Sequence, residues 1–600
     1  MIRRKSTEVL AIVLLVAMLA LSCLLPGLAE ATGGVEQQYE SALFGTDLIT
    51  VDIQMDEDDW QDMLDNAMSE EYYPADVTIN GQTFQNVGIR PKGNTSLSQV
   101  SMQGSERYSF KIEFDHYQDG QSCWGLDKLV LNNLISDATY LKEYFVYDMF
   151  AFLDTPASDY GMAEITVNGE PWGIYIALEG VEESFLMRNF GTSAGELYKP
   201  ENMADMGDMP DMGDMPDMGD KPDMGDMPDM GGMPDMGDMP DMGGMPDMGD
   251  KPDMGDMPDM GDMPDMGGMP DMGDKPDMGD IPDADDTSDT GDTPDMGDMP
   301  DMGDMPNMPG GMSAGGGSDL NYTDDNLDSY EAIWEGTITD TDDADHTRVV
   351  EALKKISEGD LSGVNVDLLC KYMAVQTFVV NLDSLSGNMT HNYYLYEKDG
   401  QLTLIPWDYN LTWGGFMSGD ASDTINFAID TPVSSGVSME DRQIFAVILN
   451  DEEACALYHS YLEKLCTEYV QGGQFELTYT MLRGLLDSRV ATDEHDPTAF
   501  YTAEEYTEAV EMLGTVIERR AESILGQLDG TIPSTNDGQR ADSSALIDAS
   551  DLDLSIMGSM MGGMGGGPDF FGGGRGSSQD QSETGAAVPP QDGQERESPA

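Results

Sequence analysis

The sequence predicts an α+β fold in which a β-rich lobe leads into a helical lobe. Three observations predict it. Apolar and polar side chains alternate in short runs over residues 40–200, they recur at helical spacing over 319–530, and a low-complexity repeat separates the two. Each part follows in chain order.

The chain opens on MIRRK, then VLAIVLLVAMLALSCLL and GLAEATGG. A basic end, an apolar run and an Ala29-x-Ala31 site make up an export signal, so residues 1–31 are expected to be removed by cleavage after Ala31. Lipid attachment at Cys23 and an uncleaved anchor stay open, because the apolar run is near the lower limit for spanning a membrane. Each outcome places the protein outside the cytoplasm, secreted or at the cell surface, and contact with a membrane is expected only through that anchor.

In the β-rich lobe, DLITVDIQM, ADVTIN, QNVGIRPKG, RYSFKIEFDH and AEITVNGEPWGIYIALE alternate with a period of two, and Asn80-Gly81 and Asn168-Gly169 mark hairpin turns. One helix interrupts them. DATYLKEYFVYDMFAFL places Tyr140, Leu141, Tyr144, Phe145, Met149 and Phe152 on one face, with Asp137 as cap.

From Met203 to Met308 the unit PDMGDM repeats with small variations. Proline every sixth residue breaks helices, and methionine is the only sizeable apolar residue in most units, so residues 201–318 are expected to be disordered and extended. A solvated spacer is the plain reading; the carboxylates also suit weak Ca²⁺ binding, and the thioethers softer metals. The helical lobe follows with NLDSYEAIWEG, VDLLCKYMAVQTFVVNL and ACALYHSYLEKLCTEYV, and residues 531–600 are expected to form a second disordered tail.

Lys and Arg number 28 against 115 Asp and Glu, a formal net charge of −87. Such a field argues against nucleic acid and anionic membrane as partners and favours cations or basic proteins. Beyond Cys23, the cysteines Cys123, Cys370, Cys455 and Cys466 show neither CxxC pairing nor zinc spacing. Export permits disulfides, and buried thiols are the alternative.

The chemistry concentrates in NLDSLSGNMTHNYYLYEKDGQLTLIPWDYN, Asn381 to Asn410. A two-residue turn at Asp399-Gly400 pairs Lys398 with Gln401 and, counting outward, Asn392 with Trp407 and His391 with Asp408. Asp408 is thereby carried back toward Asn388 and Asp383, a hard-oxygen set suited to Mg²⁺ or Mn²⁺. Asp383 and Asn388 also match D-x-x-x-x-N of the protein-kinase catalytic loop, where the Asp takes the hydroxyl proton and the Asn holds metal; Asp408 occupies the place of the further metal-binding Asp. The plain alternative makes Asp383 and Asn388 turn and cap residues. His391 reads as a polar residue at a strand end.

HNYYLYEKDGQLTLIPWDYNLTWG resembles the signature of the spore coat protein H (CotH) kinase family, secreted and spore-associated atypical protein kinases. GIRPKGNTS, RYSFKIEFD, GIYIALEGVEESFLMRNFG and ELYK are similar to further family segments in the same order, over about Leu48 to Tyr469. The large insertion after Lys199 departs from the pattern, as does Trp172-Gly173-Ile174 where a plainer Tyr-Gly is common. The resemblance implies a two-lobed, protein-kinase-like fold and transfer of the ATP γ-phosphoryl group, with Mg²⁺ or Mn²⁺, to Ser or Thr of secreted, spore-coat or cell-surface proteins.

Roles follow for the few basic residues. Arg90, Lys92, Lys111 and Lys199 are the expected ATP contacts, with Glu179 orienting Lys111 and Glu182 as its substitute. Gly93-Asn94-Thr95-Ser96 offers backbone N–H groups to phosphate. Asn388, Asp408 and Asn392 are the expected metal ligands and Asp383 the catalytic residue. A basic, serine-containing coat or wall protein is the expected partner, recruited by the acidic repeat. The rival reading is a non-catalytic surface or scaffold protein with a cation-binding repeat, since free ATP is scarce outside cells. Paired-carboxylate glycoside hydrolysis comes last, because no residue is assigned as its acid.

Overall fold

The computed structural model describes residues 35–93, 95–200, 316–416 and 420–560. The expected export signal, Cys23, Asn94, the whole Met203–Met308 repeat and the end of the tail lie outside the described residues.

Seven strands close into a barrel in the order β1-β2-β3-β4-β5-β7-β6. They are β1 Ile49–Gln54, β2 Tyr73–Ile79, β3 Gln82–Lys92, β4 Ser109–Glu113, β5 Lys128–Asn132, β6 Tyr160–Val167 and β7 Glu170–Glu179. Neighbours run antiparallel except β1 and β6, whose parallel pairing closes the ring. The Asn-Gly pairs make the β2–β3 and β6–β7 turns, with both residues of each at positive φ. Val51, Val77, Ile89, Phe110, Ile112, Leu129 and Tyr175 fill the barrel. Alternate residues point outward, and Val130, Met162, Ile174, Ile176 and Leu178 are buried against the helices instead. Each such Ile or Leu contributes about 1.5–3 kcal/mol, which welds barrel and helices into one body.

Around the barrel lie α1 Glu57–Asp65, α2 Thr95–Met102, α3 Lys142–Phe152 and α4 Glu183–Phe190. The expected face of α3 needs correction. Tyr144 and Phe152 are only partly buried, while Lys142 and Glu143 are buried with Phe145, Val146, Tyr147, Met149 and Phe150. Barrel and helical core sandwich this helix, so only Ala151 near its end is exposed. Asp137 does hold its start, accepting from the Lys142 N–H at 3.1 Å and the Thr139 N–H at 2.9 Å, although it lies outside the cap position.

The C-terminal part is built on α5 Asp343–Ser357, α6 Val366–Val379, α7 Gln443–Leu449, α8 Glu452–Lys464, α9 Gln474–Leu486 and α10 Ala503–Leu528. The predicted hairpin forms β9 Tyr393–Lys398 and β10 Gln401–Pro406, with Gln401 opposite Lys398 and Pro406 opposite Tyr393. It gains a third strand: β8, Glu196–Tyr198, crosses from the N-terminal region to pair with β9. The ladder stops one rung short of the expected Asn392–Trp407 pair. Asn392 and Asp408 both adopt left-handed backbone, φ 60° each, which turns them out of the sheet.

The tail also departs from expectation. Asn536–Ala541 is helical, Leu554–Met557 forms a 3₁₀ turn, and Ala549, Leu554 and Met557 join the helical core. The apolar residues of ALIDASDLDLSIM are enough to anchor it, which the glycine-rich composition of the whole tail hides. Cys123, Cys370, Cys455 and Cys466 are free thiols.

Candidate functional site

The site lies at the open end of the hairpin, away from the Asp399-Gly400 turn. Helix α6 ends at Val380, in left-handed backbone. Arg520, buried on α10, donates to the Thr377 and Phe378 carbonyls at 3.0 and 3.3 Å, fixing where α6 stops and the next loop starts. That loop carries Asp383. His391 Nε2 lies 3.0 Å from Asp383 Oδ1, and Asn392 Nδ2 donates to Asp383 Oδ2 at 3.0 Å and to its carbonyl at 2.9 Å. Asp383, His391 and Asn392 are thus brought together, whereas Asn388 stands exposed on an otherwise buried loop.

Asp408 meets a different set of groups. Its charge acts on Lys92 at the end of β3 and on Glu143 of α3. Lys92 Nζ donates to Asn132 Oδ1 at 3.0 Å and lies 5.6 Å from the centre of the Trp407 ring. The Asn132 amide donates to Glu143 Oε2 at 3.0 Å, and the Tyr409 N–H reaches Glu143 Oε1 at 3.4 Å. Burial, reinforced by Asp408, pushes the Glu143 carboxyl up to about 7. Burial also lowers the Lys92 ammonium, with Asp408 and Glu143 opposing and Lys199 adding to the fall. Lys199, next after β8, therefore belongs to the same cluster.

Lys111 sits on the adjacent strand β4, on the same outward face as Lys92, opposite Arg90 on β3. Burial draws its ammonium down to about 8, Glu182 resists, and Lys128 and Arg90 reinforce. Glu182 lies 3.9 Å from Lys111 and 2.9 Å from Lys128. Glu179 does not orient Lys111. Register explains why: Lys111 opposes Val130, which opposes Leu178, so Glu179 falls on the opposite face. There it is buried and bound by Arg188 and Tyr39. Arg90 pairs with Glu70 and stacks 5.3 Å from the Tyr72 ring. Gly93, at φ 134°, turns β3 into α2; a side chain there would strike Ser96.

Glu143 and Asn132 were not anticipated. The signal for Glu143 was present: Lys142-Glu143 is a charged pair at the head of a helix whose one further charge is Asp148, and a buried charge requires partners.

Comparison with known proteins adds one finding. A search of curated proteins gives no match. The family described as CotH kinase protein matches residues 89–226 and 313–524, more than half of the chain. Those two segments contain Lys92, Lys111, Asn132 and Glu143 on one side, and Asp383, Asn392 and Asp408 on the other. The chain belongs to the CotH kinase protein family.

Proposed function

We propose that this chain is an atypical protein kinase, exported by its N-terminal signal, that phosphorylates Ser or Thr of secreted, spore-coat or cell-surface proteins. One observation carries the proposal: the hairpin's open end sets Asp408 beside Glu143 and Lys92, with Asp383 on the neighbouring loop.

The donor set fits a divalent cation with a nucleotide. Two carboxylates side by side, one of them held toward its neutral form by burial, form a hard-oxygen pair that Mg²⁺ or Mn²⁺ would relieve. Asp408 and Glu143 would hold the metal, and Asn392 would contribute through its amide oxygen. Lys92 and Lys199 would meet phosphate oxygens, with Lys111 and Arg90 extending the positive face. When bound, ATP with its cation supplies the phosphoryl group and the charge screening.

Asp383 has the geometry of a hydroxyl acceptor. His391 Nε2 lies against one of its oxygens and Asn392 Nδ2 donates to the other, contacts that fix the carboxylate plane from which Asp383 would take the proton of a Ser or Thr O–H. Asn388 is a weaker metal ligand in this arrangement because it stands exposed. The acidic repeat serves as a recruiting element for a basic, serine-containing partner.

Radiolabelled ATP with Mn²⁺ and a panel of basic serine-containing proteins tests this directly. Labelling by the wild type that disappears in Asp383→Asn and Asp408→Asn supports it. Nucleotide-dependent stabilisation without transfer to any panel protein, or to the chain itself, would favour a non-catalytic scaffold.

A further inference from the structure

Away from the hairpin, a second group of ligand-type side chains converges. Cys455 and His459 lie one turn apart on α8, and the loop after β10 brings Asp430 to them. Their ligand atoms all lie within 4.8 Å of one another, and among the described residues no other trio of His, Cys, Asp or Glu does so. His459 Nε2 is 2.7 Å from Asp430 Oδ1 and 3.8 Å from Cys455 Sγ.

The geometry separates two chemistries. A nucleophilic Cys–His–Asp relay needs the thiol and the carboxylate on different ring nitrogens, so that the proton taken at one is balanced at the other. Here both groups face the same Nε2. A relay is therefore not available, whereas three donors aimed at one point are what a cation requires. Tetrahedral Zn²⁺ with bonds of about 2.0–2.3 Å sets its N, O and S ligands roughly 3.3–3.6 Å apart. The Cys–His separation already comes near this, and the Asp430 carboxylate needs only a small outward rotation. Asp430 and His459 are 28% and 31% exposed, so an ion has access. Asp430 is supported from behind: its N–H donates to the Ser534 carbonyl at 2.8 Å, and Ser534 also bonds its carboxylate.

The geometry points to a zinc-type cation site formed by Asp430, Cys455 and His459, with a fourth position open to water. Its role is structural. Asp430 lies four residues before Ser434, whose N–H donates at 2.7 Å to the Ser386 carbonyl, in the loop that carries Asp383. A cation here ties α8, the 429–434 segment and the start of the tail together behind that loop.

Because the acidic chain will bind cations in many places, the test must report on the thiolate. Full-length protein is titrated with Co²⁺ in excess Mg²⁺, and the near-ultraviolet thiolate-to-cobalt charge-transfer band is followed together with the melting temperature. The expected result is a band saturating at one equivalent, a rise in melting temperature, and displacement of the band by Zn²⁺. Cys455→Ser should abolish the band. His459→Gln should weaken Co²⁺ by more than the roughly 10–100-fold that losing a supporting group costs. Absence of the band in the wild type, or its survival in Cys455→Ser, overturns the proposal. Both readouts are independent of phosphoryl transfer, so inactivity toward ATP would not affect the outcome.

Discussion

Two buried carboxylates in this molecule are treated in opposite ways. Asp496 receives Arg107 at 2.5 Å and the Ile174 N–H at 3.0 Å on one oxygen, and the Tyr140 hydroxyl at 2.9 Å and the Ala491 N–H at 3.0 Å on the other. Arg107 is itself fully buried and further bonded to Asn133 and Ile174 carbonyls. Glu143, equally buried, is given an amide, a distant N–H and a second carboxylate. The first is a clamp between barrel and C-terminal segment, with every lone pair occupied. The second has only Lys92 to offset the charge of Asp408, a shortage that the proposed cation would relieve. A fully paired ion is a fold element; an underpaired one is a candidate binding group.

The sharpest way to break this contrast is at the underpaired cluster. Asp408→Asn should lower phosphoryl transfer by about 10³-fold, near 4 kcal/mol of stabilisation lost from the transition state, with melting temperature nearly unchanged. Arg107→Ala should do the reverse, costing about 3–5 kcal/mol in urea unfolding because Asp496 is left buried and uncompensated.

A smaller effect sharpens the comparison through pH. The Glu143 carboxyl titrates higher in the folded protein, about 7 against 4.5. The folded state therefore binds the extra proton between those values, and the contribution is fully present below about 4.5 and lost as pH rises through 7. Unfolding without divalent cation should show stability falling across that window, and Glu143→Gln should flatten it. Added Mn²⁺ should restore stability at pH 8 in the wild type but less so in the variant. The mildest change is deletion of Met203–Met308, expected to leave unfolding unaffected while weakening capture of a basic partner at low salt only.

Elements with strong local chemistry were legible in the sequence. The Asn-Gly turns, the Asp399-Gly400 hairpin and its register all follow from turn residues and alternation. Closure of the barrel did not, because the parallel β1–β6 pairing joins strands more than a hundred residues apart and leaves no local mark. The same limit explains Glu179. Alternation along one strand says which residues share a face, but the cross-strand register that put Leu178 rather than Glu179 on the Lys111 face is a tertiary fact. Glu143 was missed for a third reason: a helix buried over most of its surface lacks the amphipathic stripe by which inward positions are found.

The crossover of β8 has a consequence for everything between it and the hairpin. Lys199 and Pro200 follow the strand that ends with Tyr198 opposite Leu395, and Ser318, on the far side of the insertion, bonds the Thr390 hydroxyl at 3.0 Å and accepts from the Tyr393 hydroxyl at 2.6 Å. The described residues on both sides of the long acidic stretch thus contact the hairpin or the residues just before it. Under the proposed function, a basic partner held by the stretch would be tethered to the hairpin by the chain itself, so a weak grip there would count as a high local dose of acceptor rather than as affinity.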